Sequence, residues 1–129
     1  MLLTKVKTLI NFHAATGKKT TDDNDLLSAL CIQAMYYIMD KCVPDELLRV
    51  EDTEEQVYRN IEDGTYIVRP DAPDFANLMD ELMIDEQLTM AVVYYVAFLI
   101  TKNGDNKHLA DEIINEYQAN YGREYYVDS

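Results

Sequence analysis

Apolar residues recur with the spacing of one helix face in two stretches of the N-terminal third of the chain. The first stretch runs from Leu2 to Gly17, where a glycine is typical of a helix C-terminus. The second runs from about Asp25 to Cys42, after a polar segment that offers several N-cap residues. Pro44 marks its end, because proline disfavours helical backbone in the residue before it. The pattern predicts two helices joined by a polar loop.

Two further helices are predicted toward the C-terminus. One begins near Asp85, and its segment Met90–Ile100 is apolar on all sides, which is typical of a helix enclosed by other elements. We therefore expect this helix to be the central element of the fold. The other helix has one apolar face and ends at Gly122. The short turn at Asn103–Asp105 predicts that these two helices are antiparallel neighbours.

The apolar spacing changes between the two helix pairs. Val57–Ile61 and Thr65–Arg69 are rich in β-forming residues and flank Asp63-Gly64, a pair typical of a β-hairpin because glycine accepts positive φ. A lone hairpin is marginally stable in water, so we expect it to pack on the helices or to add strands from another chain. Residues 44–56 are predicted to form a short helical turn and an acidic connection, and residues 71–81 a loop with one helical turn.

The predicted fold class is mainly α, an antiparallel helical bundle of about four helices with one inserted β-hairpin at about 57–69. The length of 129 residues and the 48% hydrophobic composition suit one globular domain. We assign residues 1–122 to a single helical domain and residues 123–129 to a C-terminal tail. The longest apolar run is much shorter than the roughly 20 residues that a spanning helix needs, so no membrane segment is expected. Two cysteines and no leader resembling a signal peptide favour a reducing compartment over a secreted disulfide framework.

The charge is strongly acidic and unevenly distributed. The net charge is -13, which would repel a phosphate backbone and disfavours general nucleic-acid binding. Residues 1–20 nevertheless carry four lysines and no acid, so the other residues together carry -17. This basic segment either contacts acidic surface, its own or a neighbour's, or solvates one helix face.

Candidate chemistry is sparse. His108, Glu112 and Glu116 share one helix face, but no zinc or calcium motif accompanies them, and a solvated face is the preferred interpretation. Cys31 and Cys42 are expected to be small buried hydrophobes rather than nucleophiles. Because the chain has 24 acids, pairs of carboxylates have no diagnostic value for general acid and base catalysis. We therefore expect no catalytic, cofactor-binding or metal-binding residue, and no enzyme activity.

Tyrosine is the unusual residue type, with ten copies and no tryptophan. Three adjacent pairs occur, at 36–37, 94–95 and 125–126. Adjacent helical residues diverge by about 100°, so one member of a pair can face the core while the other faces a partner. Tyrosine is enriched at interfaces because an apolar ring carries a polar tip. The pairs therefore favour an interface over a purely internal role.

The order of these parts resembles the head-tail connector family of tailed bacteriophages. The resemblance covers about residues 20–121 and is carried by two N-terminal helices, the Asp63-Gly64 hairpin, Thr65–Pro70, the buried helix with Val92–Ala97, and Leu109–Tyr117. It implies a helical adaptor protein that is copied around a ring beneath the portal and extends the DNA channel.

The resemblance also implies partners and contact residues. The expected partners are further copies of this chain, the portal protein and tail or stopper proteins, with DNA passing through without specific binding. No membrane is involved; the expected location is the virion neck, after assembly in the host cytoplasm. The basic first helix is expected to contact a neighbouring subunit through Lys5 and Lys7. Family members use the hairpin and the C-terminal tail for contacts, which suggests Tyr66, Ile67, Val68, Tyr125, Tyr126 and Val127 here.

Two alternatives remain. One is an acidic regulatory or masking protein that binds a basic partner, which would explain the charge without a ring. The other is a small enzyme with an unrecognised carboxylate or His108 site.

Overall fold

The computed structural model describes residues 1–15, 21–50, 53–62, 64–77 and 79–122, and of residues 121 and 122 it describes only the backbone. This part of the chain is mostly helical and includes a small three-stranded antiparallel sheet. The helices are α1 (Leu3–Ala14), α2 (Asn24–Lys41), α3 (Thr89–Thr101) and α4 (Gly104–Tyr117). The strands are β1 (Leu48–Arg49), β2 (Val57–Glu62) and β3 (Thr65–Val68). Single helical turns cover Asp45–Leu47, Glu86–Leu88 and Gln118–Gly122.

Helix α3 is the central element, as its uniformly apolar sequence predicts. It contacts α1, α2 and α4, and none of its residues is exposed. Burial on all sides removes apolar surface from water around the whole helix, and this is the main stabilising term in such a core. No helix within the described ranges has the length and apolar character needed to cross a membrane.

Local signals set the helix ends. Asp23 caps α2, because its Oδ1 accepts a hydrogen bond from the Leu26 N–H at 3.1 Å. Asn103 caps α4 in the same way, with Oδ1 3.0 Å from the Asp105 nitrogen. Lys102 adopts φ +62°, a left-handed conformation that ends α3 and reverses the chain into α4. The predicted end of α1 at Gly17 lies outside the described residues; α1 itself ends at Ala14.

The sheet contains a strand that the sequence does not predict. β2 and β3 pair antiparallel, as the Asp-Gly signal predicts, and Gly64 has φ +76°. β1 adds to the other side of β3, so that the order is β1-β3-β2. The predicted acidic connection at 44–56 therefore contains a strand. A strand of two residues is too short to show an alternating pattern, which explains why the sequence does not predict β1.

The sheet packs on the C-terminal end of α2. Met39 and Val43 form a buried cluster there with Leu47, Ile67 and Val68. β2 has register irregularities, and such bulges discourage the pairing of a further strand at a sheet edge. The expectation that the hairpin packs on helices is met within this chain.

The segment after Pro70 differs from its prediction. No helical turn forms in the described residues between 71 and 81; they make tight turns and irregular backbone instead. Side chains compete for the backbone there, since Asp74 accepts from the Ala76 N–H and Asn77 from the Met79 N–H. The segment then fixes the start of α1, because the Leu3 nitrogen lies 2.9 Å from the Asp80 carbonyl oxygen.

Candidate functional site

A stacked tyrosine pair joins the sheet to α2. The rings of Tyr36 and Tyr58 lie 5.1 Å apart between centroids with an interplanar angle of 8°. The Arg69 guanidinium lies 5.8 Å and 5.7 Å from these two centroids, within the range of a cation–π contact. The Tyr58 hydroxyl donates to Asp40 Oδ1 at 2.6 Å, and burial together with this hydrogen bond raises the pKa of Tyr58 to about 12.

A second stacked pair joins α2 to α3 and α4. Tyr37 lies 4.1 Å from Tyr95 between ring centroids, and its hydroxyl donates to Asp111 Oδ1 at 2.5 Å. Lys107 binds the other oxygen of Asp111 at 2.9 Å, and both Lys107 and Lys41 lie within 5.5 Å of the Tyr37 ring centroid. Burial, followed by the bond to Asp111, raises the pKa of Tyr37 above its usual range.

These contacts change the interpretation of the adjacent tyrosines. Tyr36 and Tyr37 diverge around α2 as expected, but both contact side chains of this same chain. The sheet covers one and the α3–α4 pair covers the other. Both members of this pair therefore have internal contacts, because the sheet supplies a second internal face, and both remain only partly buried.

A buried carboxylate joins the ends of three helices. Asp85, just before α3, is 6% exposed and accepts from the backbone N–H groups of Asp45 at 3.0 Å and Glu46 at 2.7 Å. It also accepts from the hydroxyl of Tyr117, at the end of α4. Burial and this bond raise the pKa of Tyr117 far above its usual range. Asp85 thus caps the turn that follows α2 and fixes α4 beside it.

A cleft of about 250 Å³ opens beside this junction. Its described lining combines an apolar part with one carboxylate and two carboxamides, and consists of Gln87, Ile113, Glu116, Tyr117 and Asn120. No lysine or arginine belongs to the lining that the described residues form. Sequence analysis did not single out the cleft, because its walls come from the start of α3 and the end of α4.

The described part of the chain has far more acidic than basic side chains. The chain has 11 lysines and arginines, of which Lys18, Lys19 and Arg123 lie outside the described ranges. The described residues therefore include eight basic and 19 acidic side chains. Six of those eight have a partner within the chain: Lys7, Lys41, Arg49, Arg59, Arg69 and Lys107. The basic side chains mainly hold the fold together, while the excess acids face solvent.

The two lysines of the predicted interface are placed differently. Lys5 is exposed on α1. Lys7 is partly buried; its Nζ lies 3.2 Å from Asn24 Oδ1 and 3.8 Å from Asp22 Oδ1. Lys7 therefore joins α1 to the start of α2 in this structure, whereas Lys5 keeps its charge at the surface.

Of the three predicted interface residues of β3, one keeps accessible surface and two are buried. Tyr66 is half-buried and retains some accessible surface. Ile67 and Val68 are fully buried against α2, so the interface prediction is corrected at these two positions. The hairpin uses its apolar face for this chain's own core, which pattern alone does not distinguish from an intermolecular contact. Tyr125, Tyr126 and Val127 lie outside the described residues.

The other chemical candidates are placed as follows. Cys31 and Cys42 are fully buried, and burial raises the pKa of each thiol to about 12. His108 Nε2 lies 2.9 Å from Glu112 Oε1, and both side chains are mostly exposed. Within the described ranges, no group of three or more histidine, cysteine, aspartate or glutamate side chains could hold a metal ion.

Comparison with known proteins gave no match to any protein-family model, to any curated protein or to any solved structure.

Proposed function

We propose that this protein is a structural head-tail adaptor subunit of a tailed bacteriophage, which forms a ring under the portal and extends the DNA channel. The adaptor proposal implies that the helices form an antiparallel bundle of four with one inserted hairpin. The proposal rests first on the order of elements that resembles the connector family. It locates the protein in the virion neck, with the portal, further copies of the chain, and tail or stopper proteins as partners.

The acid excess is the observation that carries the proposal. DNA must slide through a connector without sticking, and a negatively charged wall repels its phosphates. A surface with many lysines and arginines would instead bind the backbone and hold it. Here six of the eight described cations have partners within the chain, which leaves the surface negative. This pattern suits a channel wall.

A closed ring needs two different complementary surfaces on each subunit. Lys5 supplies an exposed positive charge on α1, and the rest of the chain supplies the acid. Tyr66 offers a partly accessible aromatic ring on the sheet. We assign Lys5 to the contact between subunits, and Tyr66 and the tail to contacts with a neighbour or the portal.

Mass measurement tests this assignment. The protein is measured over a range of concentrations by native mass spectrometry, alone and with the portal protein of the same genome, and complexes are imaged by electron microscopy. We expect a ring-shaped complex on the portal. Lys5→Glu should weaken that complex, whereas Lys102→Glu, an equal charge change at the α3–α4 turn, should not. Failure to bind the portal at any concentration would contradict the proposal.

The tail provides a second test. Removing residues 123–129 should leave the helical circular dichroism unchanged and weaken assembly, because the tail follows the last helical turn. A loss of helical signal would instead assign the tail to the fold.

An acidic masking protein is the second candidate, and the same acid excess favours it. It would bind one basic protein in a stable one-to-one complex whose affinity falls steeply with salt. A heterodimer of this kind, with no portal binding, would replace the adaptor proposal.

A further inference from the structure

The cleft between the start of α3 and the end of α4 has the chemistry of a side-chain pocket. Ile113 supplies apolar surface beside the almost fully buried Tyr117. Glu116 supplies carboxylate acceptors, and Gln87 and Asn120 each supply one acceptor oxygen and one NH₂ donor. The Tyr117 hydroxyl already donates to Asp85. The cleft therefore offers one negative charge, two amide oxygens and apolar surface to whatever enters it.

We infer that this cleft binds an arginine side chain presented by a basic segment of another protein. A guanidinium carries five N–H donors in one plane, which suits the one carboxylate and two amide oxygens that line this cleft. Its aliphatic stem can pack on Ile113 while the charge reaches Glu116. The inference does not depend on which protein carries the segment, so it stands apart from the adaptor proposal.

Size and charge argue against other occupants. The cleft holds about 250 Å³, which is below the roughly 300–1,000 Å³ of typical small-molecule sites and suits a single side chain. An anion is disfavoured because Glu116 lines the cleft and none of the other described lining residues is a cation. The carboxylate of Asp85, which accepts from the Tyr117 hydroxyl, adds a second negative charge next to the cleft.

The test uses the full chain labelled with nitrogen-15 and N-acetylarginine amide as the probe. Its uncharged matched control is N-acetylcitrulline amide, which replaces the guanidinium by a urea. Two-dimensional NMR should show saturable shifts at residues 113–120 and at the Gln87 side-chain amide with the arginine probe. Binding should weaken by about threefold in Glu116→Gln, as expected for a partly exposed ion pair. Glu112→Gln, one turn earlier on α4 and outside the cleft, should bind as the unmodified protein does.

Three results would overturn the inference. The first is equal binding of the citrulline and arginine probes, and the second is equal binding by the Glu116→Gln and Glu112→Gln variants. The third concerns the chain's own arginine nearest the cleft in sequence. If Arg123→Gln alone shifts the cleft resonances and increases probe binding, the occupant is the tail rather than another protein. Saturable binding that is unaffected by Arg123→Gln would support a partner's arginine.

Discussion

The Tyr117 hydroxyl lies 2.5 Å from Oδ2 of Asp85, and this contact joins the end of α4 to the start of α3. The Asp45 N–H donates both to that carboxylate and to the Tyr117 oxygen, so the turn after α2 belongs to the same network. A single buried carboxylate therefore fixes three segments that are far apart in sequence. Such a group is destabilising unless its hydrogen bonds are made, so its partners are the place to test the fold.

Replacing Asp85 by alanine should lower the free energy of unfolding by about 3 kcal/mol, because two backbone N–H groups and a tyrosine hydroxyl lose a charged acceptor. Urea unfolding followed by circular dichroism measures the change. Glu112→Ala, which removes an exposed carboxylate on α4, is the control and should change stability by less than about 0.5 kcal/mol. Equal effects of the two substitutions would contradict the structural role of Asp85.

Replacing Tyr117 by phenylalanine should cost about 1–2 kcal/mol, since it removes one donor to Asp85 and keeps the ring in place. Its effect should not add to that of Asp85→Ala, because the two groups share one hydrogen bond. A double-mutant cycle from urea unfolding measures this coupling. Strict additivity would show that the two side chains act independently.

Arg59 should fasten the sheet to α2. Its Nη2 lies 2.5 Å from the Met39 carbonyl oxygen and 3.2 Å from that of Cys42, and these oxygens belong to the negative end of the α2 dipole. Arg59→Met should lower stability by about 2 kcal/mol and speed hydrogen exchange in β2 and β3. Arg49→Met, which removes a partly exposed ion pair with Glu55, should have a smaller effect on stability. An unchanged exchange rate in Arg59→Met would contradict this role.

The free energy of unfolding should fall at high pH because the Tyr58 hydroxyl ionises. Its folded pKa is raised from 10.0 to about 12, so the folded state keeps a proton that the unfolded state releases first. The stabilising contribution is complete below pH 10 and is lost as the pH rises toward about 12. Urea unfolding of the unmodified protein and of Tyr58→Phe across this window gives the difference. Parallel stability curves for the two proteins would contradict the raised pKa.

Both thiols should resist alkylation in the folded protein. Burial raises each pKa to about 12, so that little thiolate forms at neutral pH, and both sulfurs are covered. Iodoacetamide labelling followed by mass spectrometry should detect modification only when urea unfolds the chain. Rapid labelling without denaturant would show that the helix around the modified cysteine opens readily.

The main helical elements were predictable because their signals are local. The apolar run from Met90 to Ile100 indicated a helix enclosed on all sides, and α3 is the central helix. Pro44 marked the end of α2 through its own backbone preference, and the short turn at Asn103–Asp105 marked the break between α3 and α4. The Asp63-Gly64 pair likewise placed β2 and β3 on its two sides.

The candidate site could not be predicted in the same way. Among many acids, Asp85 differs only in its surroundings, which come from the end of α2 and the end of α4. The cleft beside it likewise combines Gln87 with residues of α4 and the turn that follows it. Its neighbours in space are distant in sequence, so no spacing along the chain reveals it.

The sequence by itself determined where the four main helices and the two strands of the hairpin form, which helix is enclosed, and that acid exceeds base. These properties depend on each residue and its near neighbours. The tertiary structure decided which partner each ambiguous side chain takes. It added β1 to the sheet, buried Ile67 and Val68 against α2, and gave Tyr36 and Tyr37 separate internal contacts. The physical reason is that burial and pairing depend on which surfaces meet in space, and apolar residues pack equally well on their own chain or on another.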